Sequence, residues 1–392
     1  MPSRSSLRVA LISHTFGEYC VQLANGLAQH AKVLLLLPTH IAAPHVAQLN
    51  DAVRLFGFLN PRFREPILQF RMLRALFQTI RDFSPDVIHY QGGHPWLDLA
   101  LPCLGRYPLV LTIHDFKPHP GDRLSKKTPF WMEMFARHQA DELIVHTRFV
   151  RNQIIGGCSA GTERISVIPH IQIGRDSSST PIRDDGRLIL FFGRIWPYKG
   201  LEYLIGAEPL ITARVPEAKI LIAGQGEDFS HYDRMLVHPD RFIVDNEFIP
   251  DERAADYFAR ASVVVLPYIE ASQSGVVSMA YSAGKTVVAT KVGGLPEMIE
   301  HGRTGYLVPP RDAAQLAEFV TRLLLDPELR HQMGINGKRK IEAECSPDVV
   351  ARKTMEVYLR ALERTARNRT HVLVPDSSAV TVGRVGDMDC DR

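Results

Sequence analysis

Phe191-Phe192-Gly193-Arg194-Ile195-Trp196-Pro197-Tyr198-Lys199-Gly200 follows directly on Leu188-Ile189-Leu190. An unbroken apolar run of this kind reads as a strand buried on both faces, as in a parallel sheet. Gly193 ends the strand, and Gly200 opens a helix whose apolar positions Leu201, Leu204 and Ile205 recur at helical spacing. Arg194 and Lys199 lie between the two elements. A strand-to-helix turn at the carboxyl edge of a parallel sheet is where such folds bind ligands. A guanidinium fork beside an ammonium point charge suits a diphosphate. The alternative is two solvated cations on a loop.

The 392 residues suffice for two domains with full cores. Hydrophobic content of 45% and charged content of 23% are those of an ordinary soluble protein. A formal net charge of +3 gives no argument for nucleic acid, and none is expected as a partner. No stretch approaches the roughly 20 apolar residues of a membrane span. The start, Met1 to Leu7, passes straight into a strand and lacks the layout of a signal peptide. Cys20, Cys103, Cys158, Cys345 and Cys390 are scattered, which reads as reduced thiols in a cytoplasm and argues against a zinc site.

Strand and helix alternate through the first half. Leu7–Ile12, Val33–Leu37, Asp86–His89, Leu109–Ile113, Glu142–Val145 and Ile165–Ile168 read as strands, and Gly17–His30 as a helix. Residues 176–186 are polar and turn-rich and read as a linker. The second alternation gives strands at Lys219–Ala223, Phe242–Asp245, Val263–Pro267, Thr286–Thr290 and Gly305–Val308. A helix over Ala313–Leu325 is capped near Asp312. This predicts an α/β protein with two Rossmann-like, doubly wound domains facing a cleft: residues 1–175 and 187–346, then a helix over 347–364 and a disordered tail over 365–392.

Gly193-Arg194-x4-Lys199-Gly200 resembles the diphosphate-binding turn of glycosyltransferase family 4. In the same order follow Pro267-Tyr268, Ser274-Gly275, Ala283-Gly284-Lys285, Val287-Val288-Ala289-Thr290, Val292-Gly293-Gly294-Leu295-Pro296-Glu297 and Thr304-Gly305-Tyr306-Leu307-Val308. The likeness is strong from about Leu188 to Pro310 and weaker before it. It implies the GT-B fold and a last helix that crosses back onto the first domain. It also implies a retaining transfer of a hexose-type sugar from a nucleotide-diphosphate donor to a hydroxyl acceptor. The acceptor, a glycan, a lipid-linked or a small molecule, sits mainly on the N-terminal domain. No cofactor and no metal are implied. The alternatives are a non-catalytic sugar-nucleotide-binding relative and a GT-B nucleotide-sugar epimerase.

By that resemblance Arg194, Lys199, His114 and Glu270 are the catalytic candidates. Gly17, Gly193, Gly224, Ile249, Ser274, Gly275 and Val276 are the donor-binding ones. The residues support some of these independently. Ser274-Gly275-Val276 opens a helix, whose free amides and hydroxyl form an anion site, or a plain N-cap. His114 ends a strand at the cleft edge, where an imidazole donates to a phosphate oxygen or bonds a loop carbonyl. His14, His89, His94 and Asp115 share that wall. Gly224-Gln225-Gly226 reads equally as a ligand approach or a turn; Ile249 stands where, by the resemblance, the family holds the nucleobase through backbone groups, and a buried hydrophobic loop explains it equally well.

The chain departs from the family at one place. Its two glutamates separated by seven residues are reduced to Glu270, because Ser278 and Met279 occupy the second position in either register. That second carboxylate typically holds the ribose hydroxyls, so ribose recognition is expected to be weak unless Glu227 or Tyr281 supplies it. The Asp387-Met388-Asp389 triplet falls in the tail and gives no metal site. Arg62, Arg64, Arg71, Arg74 and Arg81 interleave with Ile67, Leu68, Phe70, Leu73, Leu76, Phe77 and Ile80. This Arg62–Arg81 region, with Arg123, Lys126 and Lys127, reads as a peripheral contact at the inner face of the membrane or as a docked helix with a solvated face.

Overall fold

The computed structural model describes residues 7–116, 129–157, 162–174 and 184–373. Arg123, Lys126, Lys127, the Asp387-Met388-Asp389 triplet and most of the linker fall outside them.

The first sheet contains β1 (Arg8–Ile12), β2 (Lys32–Pro38), β3 (Arg54–Phe58), β4 (Val87–Tyr90), β5 (Leu109–Ile113), β6 (Glu142–Val145) and β7 (Ile165–Val167). Its order is β3-β2-β1-β4-β5-β6-β7, with every pair parallel. The second sheet contains β8 (Leu188–Phe192), β9 (Lys219–Ala223), β10 (Phe242–Asp245), β11 (Val263–Leu266), β12 (Val287–Thr290) and β13 (Gly305–Val308). Its order is β10-β9-β8-β11-β12-β13, again all parallel. Helices cover both faces, so the central strands are apolar end to end: Val9 to Ile12 and Leu34 to Leu37 are fully buried. In each sheet the order reverses beside the first strand, between β1 and β4 and between β8 and β11. Loops leaving the carboxyl ends there open a crevice.

The two halves touch through specific bonds. Thr147 donates its hydroxyl to the Ser272 carbonyl (3.2 Å). Glu297 accepts the amides of Arg148 and Phe149, both at 2.8 Å, so a carboxylate of the second half caps the helix Arg148–Gly157 of the first. Ser278 Oγ accepts the Ile173 amide (3.0 Å). The last helix, Pro347–Leu373, runs past Arg364, where the sequence reading ends it. It packs on the helix Gly17–Leu27 so closely that a Cβ on Gly26 would lie 2.2 Å from the Pro347 carbonyl oxygen. Arg364 pairs with the fully buried Glu142 at 3.1 Å.

Two elements escape the sequence reading. β3 is an edge strand with only Phe58 buried, so it has no apolar run to mark it. The helix Pro327–Cys345 buries Arg330, Met333, Gly334, Gly337 and Ile341, a face too poor in large apolar residues to show a helical stripe.

The helix Pro66–Phe83 buries Met72, Leu73, Leu76, Ile80 and Phe83. Gln69 anchors its first turn, but the outer face there is apolar and exposed: Ile67 is 70% and Phe70 67% exposed, beside Leu59 at 79% and Phe63 at 50%. Arg62, Arg64, Arg71, Arg74 and Arg81 are exposed around them. Among the described residues no helix is long and apolar enough to cross a membrane.

Candidate active site

Gly193 leaves β8 at φ +107°, and its amide bonds the Ala223 carbonyl (2.9 Å). The turns after β8 and β9 are zipped together by Ile195 N to Gln225 O (3.1 Å) and Glu227 N to Ile195 O (3.0 Å). A Cβ on Gly224 would lie 2.0 Å from the Gly193 carbonyl oxygen, and one on Gly226 2.0 Å from that of Ile195. These glycines are therefore required by the neighbouring chain, whatever else approaches them. Gly200, at φ +61°, passes the Pro267 carbonyl equally closely, with a Cβ position 2.2 Å from its oxygen.

That approach carries Lys199 into the crevice. Only 9% exposed, it holds its ammonium 3.6 Å above the Tyr268 ring. The Tyr268 hydroxyl lies 3.4 Å from Ser274 Oγ. Ser274 caps the helix Gly275–Ser282 by accepting the Val276 amide (3.3 Å). Val276 reaches within 3.6 Å of a Cβ built on Gly193. Burial raises the Tyr268 phenol to about 12, with Ser274 and Arg194 acting the other way. Lys199, Ser274, Val276 and Gly193 thus meet at the β8/β11 switch point. Arg194 is exposed at the rim of a cleft of about 490 Å³, lined also by Gly193, Trp196, Gly224, Phe248 and Ile249. Ile249 is buried while its neighbour Phe248 is 73% exposed. Glu270 is exposed, its amide 3.4 Å from the Tyr198 carbonyl oxygen. Gly275 and Gly17 both have chain against them. A Cβ would lie 2.9 Å from Ile173 Cδ1 at the first and 2.6 Å from the Ile41 carbonyl oxygen at the second.

A larger cavity of about 590 Å³ lies between the halves, walled by His146, His170, Gln273, Tyr281, Glu297 and Lys340. None of the cationic or glycine candidates lines it, whereas Gly193, Arg194, Gly224 and Ile249 line the smaller cleft.

The place of the absent glutamate is taken by chain. Ser278 Oγ accepts the Ile173 amide (3.0 Å), and a Cβ on Gly174 would lie 3.2 Å from Met279 Cα. Tyr281 is buried and donates to Thr304 (2.7 Å), so its hydroxyl is already engaged. Glu227 accepts the Tyr232 hydroxyl (2.7 Å).

On the opposite wall His114 is one of a row. His146 Nδ1 faces the Ile168 carbonyl oxygen at 3.0 Å and donates to it. His146 Nε2 lies 3.1 Å from His114 Nδ1, and His114 Nε2 lies 2.9 Å from Gln91 Oε1. Gln91 also meets His89 Nε2 (3.3 Å), and His89 Nδ1 lies 2.7 Å from the Tyr358 hydroxyl. Burial drives His146 and His89 down to about 3 and His170 to about 4, and lowers His114 well below its ordinary value. All four rings are therefore neutral near pH 7. A neutral His146 that donates to Ile168 offers a bare Nε2 to His114 Nδ1–H. His114 Nε2 is then bare too. A half-turn of the Gln91 amide presents its NH2 to His114 and its oxygen to His89, which satisfies the row. His114 therefore holds Nε2 as a hydrogen-bond acceptor toward Gln91, with Phe16 stacked on its ring at 3.9 Å, rather than as a donor. His146 and His170 escaped the sequence reading. Their signal was position: like His14 and His114, each stands within three residues of a strand's carboxyl end.

His14 is buried with both ring nitrogens unbonded among the described residues, stacked at 3.8 Å on His94. His94 Nδ1 accepts the Leu97 amide (3.3 Å).

Residues 17–171 match the family described as Glycosyltransferase Family 4, and residues 186–326 match Glycosyl transferases group 1. An uncharacterized glycosyltransferase of Methanocaldococcus jannaschii is 28% identical over 377 residues, 89% of this chain and 95% of that one. Sucrose-phosphate synthase from Thermosynechococcus elongatus shares the fold at TM-score 0.69 and 20% identity, covering 91% of this chain and 99% of its own. HepE of Anabaena, solved in complex with UDP-glucose, does so at TM-score 0.64 and 18% identity, covering 92% and 100%. Both neighbours establish the two-domain GT-B architecture.

Proposed function

The chain belongs to the group 1 glycosyltransferases of family 4, and from that premise we propose that it moves a hexose-type sugar from a nucleotide diphosphate to a hydroxyl acceptor, with retention and without a metal. The observation that carries this reading is the meeting of Lys199, Ser274, Val276 and Gly193 at one switch point, with Arg194 at its rim. A nucleotide-sugar donor is also what the HepE complex holds.

Arg194 and Lys199 offset the negative charge that grows on the leaving diphosphate, and the amides opening the helix Gly275–Ser282 add donors. Glu270 accepts sugar hydroxyls at the cleft mouth. His114 accepts a further hydroxyl at Nε2, exchanging Gln91 for the sugar. The acceptor oxygen attacks the anomeric carbon from the face that the phosphate leaves. The bond from that carbon to the phosphate oxygen breaks, and a diphosphate oxygen takes the acceptor's proton. Two fixed cations supply the charge that a divalent ion supplies elsewhere. The exposed apolar and arginine cluster at the start of the helix Pro66–Phe83 supports placing the acceptor domain against an anionic membrane surface.

A panel of UDP-, GDP- and ADP-sugars, read by released nucleotide, tests the reaction. Lys199→Ala is expected to reduce turnover at least about a hundredfold, roughly 3 kcal/mol. Lys199→Met keeps the stem over Tyr268 and controls for packing. Retention of most turnover by both variants would refute the diphosphate assignment. Turnover is expected to persist in EDTA, and loss restored by manganese would overturn the metal-free part.

A further inference from the structure

The cavity of about 590 Å³ between the halves shares no lining residue with the diphosphate cleft, and its volume is in the range that holds small ligands. It reaches the loop that carries the donor-site candidates: Gln273, between Glu270 and Ser274, lines it. That loop is tied to the first half, because the Ser272 carbonyl accepts the hydroxyl of Thr147, another lining residue (3.2 Å). Glu297, also on the wall, caps the helix Arg148–Gly157. The joint is tight. A Cβ on Gly294 would lie 2.3 Å from the Ser272 carbonyl oxygen and 2.5 Å from Thr147 Cγ2.

Two acceptors on this wall lack donors. Gln273 Oε1 is buried with no hydrogen-bond partner among the described residues. His170 Nδ1 lies 2.8 Å from the Ile171 carbonyl oxygen and donates to it, so in the neutral ring Nε2 is a bare acceptor. Turning the Gln273 amide over leaves an unmet donor in the same place, and a ligand hydroxyl answers either form. The charged groups of the wall are Arg148, Lys340 and Lys353 against Glu297 and Glu344. Glu297 holds two amides, at 2.8 Å each, and Glu344 lies 2.9 Å from Lys340, which also pairs with Glu300 at 3.1 Å. The Arg148 guanidinium and the Lys353 ammonium have no partner among the described residues. Burial raises the Cys345 thiol to about 11, with Glu344 adding to the rise and Lys353 and Lys340 opposing it, so both ammonium groups act on that end of the cavity. Val167, Pro169 and Ile341 supply apolar surface.

We propose that this cavity is an effector site for a small hydroxylated organic anion, with the anionic group on Arg148 and Lys353 and the hydroxyls on Gln273 and His170. Arg148 and His170 belong to the first half and Gln273 to the second. A ligand that engages all of them binds one arrangement of the halves better than any other and shifts the population toward it. Through Gln273 it also holds the donor loop, and so tightens nucleotide binding. By linkage the nucleotide tightens the effector's binding by the same factor. The coupling rests on the nucleotide-sugar reading and the binding does not, so the two fail separately.

The test is isothermal titration calorimetry on the full chain. Ribose 5-phosphate and gluconate are titrated into protein saturated with UDP, which fills the diphosphate cleft, with ribose and inorganic phosphate as controls. Binding of at least one hydroxylated anion about tenfold tighter than either control is expected, and which of the two binds identifies the anionic group. Arg148→Glu and Lys353→Glu, both outside the diphosphate cleft, are each expected to weaken it about tenfold or more, with UDP affinity in the absence of the anion changed less than about twofold. The anion is expected to lower the UDP Kd about fivefold or more in the wild type and in neither variant. No binding of either anion at millimolar concentration, equal binding of a control, indifference of both variants, or an unchanged UDP Kd would overturn the proposal. Failure of the nucleotide-sugar reading looks different: no binding of UDP, GDP or ADP, with anion binding to the free protein, and its loss in both variants, intact.

Discussion

Lowering the pH from 7.5 to 5 perturbs the row of neutral imidazoles. His89 and His146 sit at about 3, and His94 and His170 at about 4, all through burial. Unfolded, each returns to about 6.5. A group whose folded pKa is depressed leaves the unfolded chain holding the extra proton, so stability falls as pH drops below about 6.5. At pH 5 each ring costs about 2 kcal/mol, or about 8 for the four. Asp98 acts in the opposite sense. Its folded pKa of about 7 lies above the unfolded value, so it takes up its proton on the way down and restores about 2.5 kcal/mol. Glu142 and Glu202, raised mainly by burial, also lean that way. His14 and His114 are depressed and add to the loss. Asp115 pulls His146 and His170 upward, but burial outweighs it in both. The four rings and Asp98 alone leave a loss of about 5.5 kcal/mol, comparable with the whole stability of an ordinary domain.

Urea titrations by far-ultraviolet circular dichroism at pH 7.5, 6 and 5 measure this directly. The midpoint is expected to fall steeply below pH 6. His146→Gln should flatten the dependence by about 1.4 kcal/mol per pH unit, the value of one proton. An equal or higher midpoint at pH 5 than at pH 7.5 would show that the rings titrate freely in the fold. That result would also remove the argument that His114 meets the sugar as an acceptor.

Removing the donor's 2′-hydroxyl should raise KM less than about tenfold, or ~1.4 kcal/mol, because Ser278 and Met279 face Ile173 and Gly174 instead of a ribose; a larger loss on comparing UDP- with 2′-deoxy-UDP-sugar would show another grip. The protein should sediment with vesicles of anionic phospholipid and not with neutral ones, and Ile67→Glu with Phe70→Glu should release it; sedimentation unchanged in that double variant would show that the first turns of the helix Pro66–Phe83 are not the contact.

The diphosphate turn was legible because its causes are local. A buried strand, a glycine, two cations and a helix start lie within Leu188–Gly200, and Ser274-Gly275 announces its own cap. The histidine row was not, because it is assembled by the sheet. Parallel order brings the ends of β4, β5, β6 and β7 to one edge, so residues 89, 114, 146 and 170 become neighbours through topology alone. Only the recurrence of histidine just past strand ends hinted at it.

The glycines mark a limit of a different kind. A missing Cβ admits a ligand or a passing chain equally well, and the residue type does not distinguish them. At Gly224 and Gly226 the passing chain is the turn after β8, and at Gly17 it is the Ile41 carbonyl, whereas at Gly275 only the movable tip of the Ile173 side chain stands close. Packing therefore explains why the first three positions are glycine before any donor is considered. The case for the site rests instead on groups that packing does not require. Chief among them is an ammonium 9% exposed, held over Tyr268 within reach of a capped helix start. A buried cation beside the amides that open a helix doubles the donors available to an anion entering there, which is why Lys199 carries more of the functional argument than any glycine around it.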